Sequence, residues 1–116
     1  MRVNVKKIIV NIRGVILKNS EISNLFLEAK KYYDSRNYDQ SEKVFSKLVD
    51  LKYETSTCYF YLANIFHKKG QIGKAIKTFN KVIELDPMHT DASISLSVLY
   101  NDIGKFFSVS AKSYPG

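Results

Sequence analysis

Beginning at Ile22, apolar residues recur at three- and four-residue steps: Ile22, Leu25, Phe26, Ala29, Tyr32 and Tyr33. On a helix these fall on a single stripe, so a helix is expected from an N-cap at Asn19 or Ser20. Asp34-Ser35-Arg36-Asn37 interrupts the stripe and reads as a turn, with Asn37 suited to left-handed backbone. A second helix is expected from Tyr38 to Leu51, with Val44, Phe45, Leu48 and Val49 inward. The pattern then repeats. Thr55 or Ser56 caps a helix carrying Tyr59, Leu62, Ala63 and Phe66, and Lys68 and Lys69 sit in its last turn, where cations suit the helix dipole. Gly70 supplies the stop. Ile72 to Leu85 forms a fourth helix with Ala75, Ile76, Phe79, Val82 and Ile83 inward, and it ends at Asp86-Pro87, because the residue before proline is pushed out of the helical region. A fifth helix is expected from Thr90 or Asp91, striped by Ile94, Leu96, Leu99, Tyr100 and Ile103 and stopped by Gly104. Phe106-Phe107 reads as the start of a sixth, weakened by Ser108, Ser110 and Ser113.

These elements overlay one another at a spacing of 34 residues. Tyr32 falls on Phe66 and Tyr100, Ala29 on Ala63 and Ser97, Phe45 on Phe79, and Gly70 on Gly104. A fixed period of this length marks stacked helix–turn–helix units. The expected architecture is an all-α solenoid, which offers a groove instead of a catalytic pocket. Residues 20–53, 54–87 and 88–104 form two repeats and a partial third, preceded by an extension at 1–19 and followed by an incomplete repeat or tail at 105–116.

Charge sharpens this division. The net charge is +7, and residues 1–19 hold five of the basic side chains (Arg2, Lys6, Lys7, Arg13, Lys18) without an acid. The remainder carries 13 basic and 11 acidic residues, so the repeat body is close to neutral and no nucleic-acid partner is expected. In the extension, Val5, Ile8, Ile9, Ile12 and Ile16 fit a helical stripe, and the Val and Ile content also allows a strand. It reads as a cap on the first repeat or, alternatively, as a basic amphipathic anchor on a membrane surface. Its apolar runs are broken by Asn11, Arg13 and Gly14, which makes a poor secretory core. A lone cysteine, Cys58, excludes an intrachain disulfide and points to a reducing, cytoplasmic setting.

The repeated residues resemble the tetratricopeptide repeat family. The second repeat fits best, through Tyr59, Leu62, Ala63, Phe66, Ala75, Phe79, Val82 and Pro87. The first follows with Leu25, Ala29, Tyr32, Ser41, Phe45 and Leu48, and departs from the pattern at Glu28 and Tyr53, where leucine and proline are usual. The third matches in its first helix, at Leu96, Ser97 and Tyr100. The resemblance covers about residues 20–104. It implies a right-handed superhelix whose concave side, lined by first helices, binds a protein or peptide, so the chain is expected to be a scaffold or adaptor. Carried over position by position, the groove residues are Phe26, Lys30, Tyr33 and Asp34 in the first repeat, Phe60, Tyr61, Asn64, His67 and Lys68 in the second, and Ile94, Val98, Asn101 and Asp102 in the third. Phe60 and Tyr61 stand out as rings beyond those that packing needs. One subgroup clamps the C-terminal carboxylates of chaperones. Its clamp positions are here Phe26, Lys30, Tyr61, Asp91 and Ser95, so the clamp is absent, and Asp91 would repel a carboxylate.

No enzymatic chemistry is expected, and no cofactor or metal. His67 and His89 lack companions at ligand spacing. Cys58 and His67 lie nine residues apart on one expected helix, roughly 14 Å along the axis, too far for a nucleophile–base pair. Gly70 and Gly73 punctuate the repeat and do not form a phosphate loop. Glu28 is the one acid at a position that packing would bury. The short third repeat leaves Leu96, Leu99 and Tyr100 without a cover, which suggests self-association through that end or a truncated form of a longer repeat protein.

Overall fold

A computed structural model describes residues 8–12 and 15–112, with side chains described for 19–105. Within these limits a strand pair, β1 (Ile8–Ile12) and β2 (Val15–Lys18), precedes five helices: α1 (Asn19–Asp34), α2 (Tyr38–Asp50), α3 (Thr55–Lys68), α4 (Ile72–Leu85) and α5 (Thr90–Lys112). Each helix packs on the next in sequence. The repeats are therefore an all-α solenoid, built as the hydrophobic stripes require.

The repeat extends to single backbone hydrogen bonds. At the end of α1, Arg36 N–H donates to Tyr33 C=O (3.0 Å) and Asn37 N–H to Tyr32 C=O (2.8 Å). At the end of α3, 34 residues on, Gly70 N–H donates to His67 C=O (3.0 Å) and Gln71 N–H to Phe66 C=O (2.8 Å). Both are Schellman turns, which require a left-handed residue just past the helix. Gly70 takes that position with φ +78°. In the first repeat Arg36 takes it, with φ +65°, instead of the expected Asn37. The bonding pattern fixes the position, and Arg36 accepts the strain that glycine avoids. The end of α2 repeats the motif through Lys52 (φ +58°), with Tyr53 N–H donating to Leu48 C=O (3.0 Å). The equivalent of Tyr53 is Pro87, which has no N–H and cannot make that bond. Asp86 instead turns extended (φ −141°), and its Oδ1 accepts from Met88 N–H (3.2 Å).

Small residues set the approach of paired helices. Ala29, Ala63 and Ala75 are fully buried, as expected, and Ser41 takes the place of Ala75 in the first repeat. Its buried hydroxyl donates to Ala29 C=O (2.8 Å), so the polar atom is satisfied and joins α2 to α1. Two apolar clusters result. One is built on Ile22, Phe45, Leu48, Leu51, Cys58, Leu62 and Ile65, the other on Ala63, Ala75, Phe79, Val82, Ala92 and Leu99. Phe45 and Phe79 are wholly buried, and each contributes about 1.5–3 kcal/mol of burial free energy.

Five expectations need correction. Residues 8–12 and 15–18 form an antiparallel pair, with Ile12 opposite Val15 and Asn11 opposite Ile16, so the helical alternative for the extension does not hold there. β-branched Ile and Val favour a pleated strand over a helix. The pair meets the helices at α1, and Val5 of the expected stripe and Arg2, Lys6, Lys7 and Arg13 of the expected charge lie outside the described residues. Gly104 does not end α5, which continues as one helix to Lys112, so Phe106-Phe107 begins no new element. A glycine stops a helix when the chain beyond it folds back against the same helix; without that return it costs only about 1 kcal/mol within the helix. Residues 113–116 of the tail lie outside the described residues. Neither Thr55 nor Ser56 caps α3; Glu54 occupies the N-cap in left-handed backbone (φ +45°). Glu28 is exposed. Leu99 is buried, so of the three residues expected bare at that end, Tyr100 is exposed and Leu96 half-buried.

Because Gly70 sits in left-handed backbone, Gly70→Ala is expected to destabilise the fold by about 1 kcal/mol in urea unfolding. Gly104→Ala, in ordinary helical backbone, is expected to raise stability by a similar amount.

Candidate functional site

The first helices α1, α3 and α5 place equivalent residues at equivalent angles, so the groove candidates form three rows. One row is Phe26, Phe60 and Ile94, the next Lys30, Asn64 and Val98, the third Tyr33, His67 and Asn101. The character changes along the solenoid. The first repeat offers rings and a cation, the second an amide, an imidazole and Lys68, the third exposed aliphatic surface at Ile94 and Val98, 56% and 49% exposed. Lys68, Asn101, Asp34 and Asp102 are exposed, while Lys30, Tyr33, Asn64 and His67 are half-buried.

The rings are more committed to packing than the sequence suggests. Tyr61 stacks flat on Phe45 at 4.7 Å between centroids, with planes 9° apart. The edges of Tyr33 (5.1 Å) and Phe26 (6.5 Å) meet the same ring. Phe26 also meets Phe45 at 6.0 Å and Tyr53 at 5.7 Å. Phe60 lies against Phe79 (6.0 Å) and His89 (4.8 Å). Phe60 and Tyr61 are thus half-buried, not free rings. The signal was in the register: Tyr61 is equivalent to Leu27 and Ser95. An apolar residue there reaches back to the preceding repeat. Leu27, with no preceding repeat among the described residues, is 53% exposed.

The polar groups keep capacity for a partner. Asn64 Nδ2 donates to Phe60 C=O at 3.1 Å, which leaves its carbonyl oxygen as an acceptor. Lys30 Nζ sits 5.3 Å from the Phe26 ring centre, so its charge is held over the first row by a cation–π contact. Burial raises the Tyr33 and Tyr61 hydroxyls above the ordinary tyrosine range, aided at Tyr61 by nearby Asp34, so both are neutral donors at physiological pH.

Two residues to which the sequence gives no part in the groove support this face. His89 Nδ1 accepts from Ala92 N–H (3.1 Å), capping α5 while its ring covers Phe60. Lys69, expected to serve the helix dipole, instead pairs with Asp39 (2.7 Å) and Glu42 (3.0 Å) at the start of α2, tying the second turn to the first repeat. Its hydrogen bond holds the Asp39 carboxyl below the ordinary aspartate range.

Cys58 is buried, and its thiol donates to Tyr53 C=O at 3.3 Å. Burial, with Glu54 nearby, pushes the thiol up to about 12, so it is a packed group and not a thiolate. Among the described residues, no three of His, Cys, Asp and Glu are grouped to hold a metal.

Two outcomes follow. Tyr61→Ala is expected to cost about 2–4 kcal/mol in urea unfolding, whereas Lys68→Ala stays within about 0.5 kcal/mol of the parent. The raised Cys58, Tyr33 and Tyr61 groups stabilise the fold fully below their unfolded values. For Cys58 that contribution is lost as pH climbs from about 9.0 toward 12, since the unfolded thiol releases its proton first. The thermal midpoint should therefore fall over that range, and less steeply in Cys58→Ala.

Comparison with known proteins agrees with the geometry. The family model described as tetratricopeptide repeat matches residues 56–89, which spans α3, α4 and the Asp86-Pro87 turn. A human protein, general transcription factor 3C polypeptide 3, is 29% identical over 87 residues, covering 73% of this chain. The chain spans about a tenth of that protein's length (10%). Residues 56–89 thus match a tetratricopeptide repeat, and the preceding hairpin shares its 34-residue register down to the Schellman turn, so the chain is similar to the tetratricopeptide repeat family in fold.

Proposed function

We propose that the chain binds an extended peptide or protein segment along the face formed by α1, α3 and α5, and acts as a scaffold without chemistry of its own. Tetratricopeptide repeats, which residues 56–89 match, are in general protein–protein interaction modules, and this supports the reading. The observation that carries the finer reading is the graded row set. Lys30 over Phe26 suits an acidic or carbonyl-rich end of a ligand, Asn64 suits its backbone, and exposed Ile94 and Val98 suit an apolar side chain. The rings beneath serve as a rigid floor and limit the ordering cost of binding. The human relative is named as one polypeptide of a general transcription factor, in keeping with a role in assembly.

The test selects peptides from a random display library on the intact chain and then measures their affinity for variants. Lys30→Ala, Asn64→Ala and Val98→Asp leave the aromatic packing in place and are expected to weaken binding about tenfold or more each. Lys43→Ala and Lys77→Ala, exposed on α2 and α4, are expected to leave it unchanged. Equal affinity across all five would remove the binding site from this face.

A further inference from the structure

The groove carries one row of charges that the fold does not use. Asp34, Lys68 and Asp102 are equivalent residues of α1, α3 and α5, 34 positions apart, and all three are exposed. Each lies one turn beyond the Lys30–Asn64–Val98 row and about 40° round its helix, on the same side. Among the described residues the ion pairs belong to Lys69, Asp39 and Glu42, and none involves this row. Lys30 could reach Asp34 one turn on, yet its ammonium lies over the Phe26 ring at 5.3 Å. Lys105, exposed one turn beyond Asp102, forms no ion pair with it either. Asp34 ends α1, where an acid opposes the helix dipole, so this charge does not serve its own helix. The Tyr33 and Tyr61 rings are 5.1 Å apart, and both hydroxyls are raised above the ordinary tyrosine range by burial first, with the nearby Asp34 carboxylate adding to it. Their oxygens stand beside that carboxylate as further acceptors for a cation.

Resting on the groove reading above, we propose that the ligand is a segment in polyproline II conformation with a basic, an acidic and a basic side chain at every third position, seated on Asp34, Lys68 and Asp102 in turn. The spacing selects this conformation. Helices that pack on one another lie about 8–10 Å apart, so the row presents negative, positive and negative charge at about that step. A polyproline II chain has three residues per turn and rises about 3.1 Å per residue, so every third side chain falls on one face, about 9.3 Å from the last. In a β-strand the third side chain along points to the opposite face, and those on the same face lie about 7 and 13 Å away, off the step of the row. An α-helix approaches the step only at every seventh residue, about 10.5 Å, and its backbone bonds are already made. The polyproline II backbone makes no internal hydrogen bonds, so its amides and carbonyls are open to the Asn64 oxygen and to Lys30. A uniformly basic segment sets a like charge on Lys68, and a uniformly acidic one sets like charges on both aspartates, so the row rejects each.

Display selection of random peptides on the full 116-residue chain tests this, with the enriched pools sequenced. The parent is expected to enrich Lys or Arg, then Asp or Glu, then Lys or Arg at steps of three. A chain carrying Asp34→Lys, Lys68→Glu and Asp102→Lys together, all at exposed positions, should keep its helicity by circular dichroism and enrich the inverse order. Lys68→Ala alone, which reads the same row without charge reversal, should weaken a parent-selected peptide about threefold to fivefold, and the difference should shrink as salt rises. Three results would overturn the proposal and leave the groove in place: peptides that need Lys30, Asn64 and Val98 yet show no such charge order, the same order on the parent and reversed chains, or undiminished affinity in Lys68→Ala. No enrichment on the parent, or peptides whose affinity ignores Lys30, Asn64 and Val98, would overturn this proposal and the groove reading together.

Discussion

The stack of Tyr61 on Phe45 is the contact on which the rest depends. A helical hairpin of this size cannot bury its own apolar face, and its stability comes from the neighbour it stacks on. Phe45 is wholly buried because α3 covers it, and α3 is held there by one ring lying flat on another, with the edges of Tyr33 and Phe26 closing the sides. Offset and edge-on pairs of this kind add about 0.5–1.5 kcal/mol each beyond their buried area. The seam also aligns α1 with α3, so the rows of candidate ligand-binding groups exist only because the seam exists.

Lys69 and His89 extend the same logic outward. Lys69 joins the turn after α3 to two carboxylates of α2, and His89 closes Phe60 while capping α5. Each bridges successive units at a turn. The exposed Lys69–Asp39 pair contributes little energy by itself. Its role is to fix the rotation of one hairpin on the next. The proposed binding is therefore a property of register: the groups that would touch a ligand sit on a frame set by packing residues and turns.

Much of this was legible in the chain. The 34-residue period, the small residues at Ala29, Ala63 and Ala75, and the Asp86-Pro87 stop all carry strong local signals and stand where expected. What failed had a physical cause. Arg36 and Lys52 adopt left-handed backbone that no propensity assigns to them, because hydrogen bonds of the turn outweigh the strain. Tyr61 looked surplus to packing within its own repeat, since its partner is in the preceding one. Gly104 looked like Gly70, yet a stop needs a returning helix as well as a glycine. At the N-terminal end, a stripe of Ile and Val fits helix and strand periodicities alike, and only the pairing of β1 with β2 separates them. The rows Lys30–Asn64–Val98 and Tyr33–His67–Asn101 follow from the period alone, whereas the burial of the rings beneath them does not.

The most direct measurement is an NMR titration of the chain with a library-selected peptide, following side-chain amide signals. The account predicts that Asn64 and Asn101 shift together with the backbone of α1 and α3, while Asn80, exposed on α4, stays in place. Shifts gathered on Asn80 and the outer faces of α2 and α4, with Asn64 and Asn101 unmoved, would contradict it.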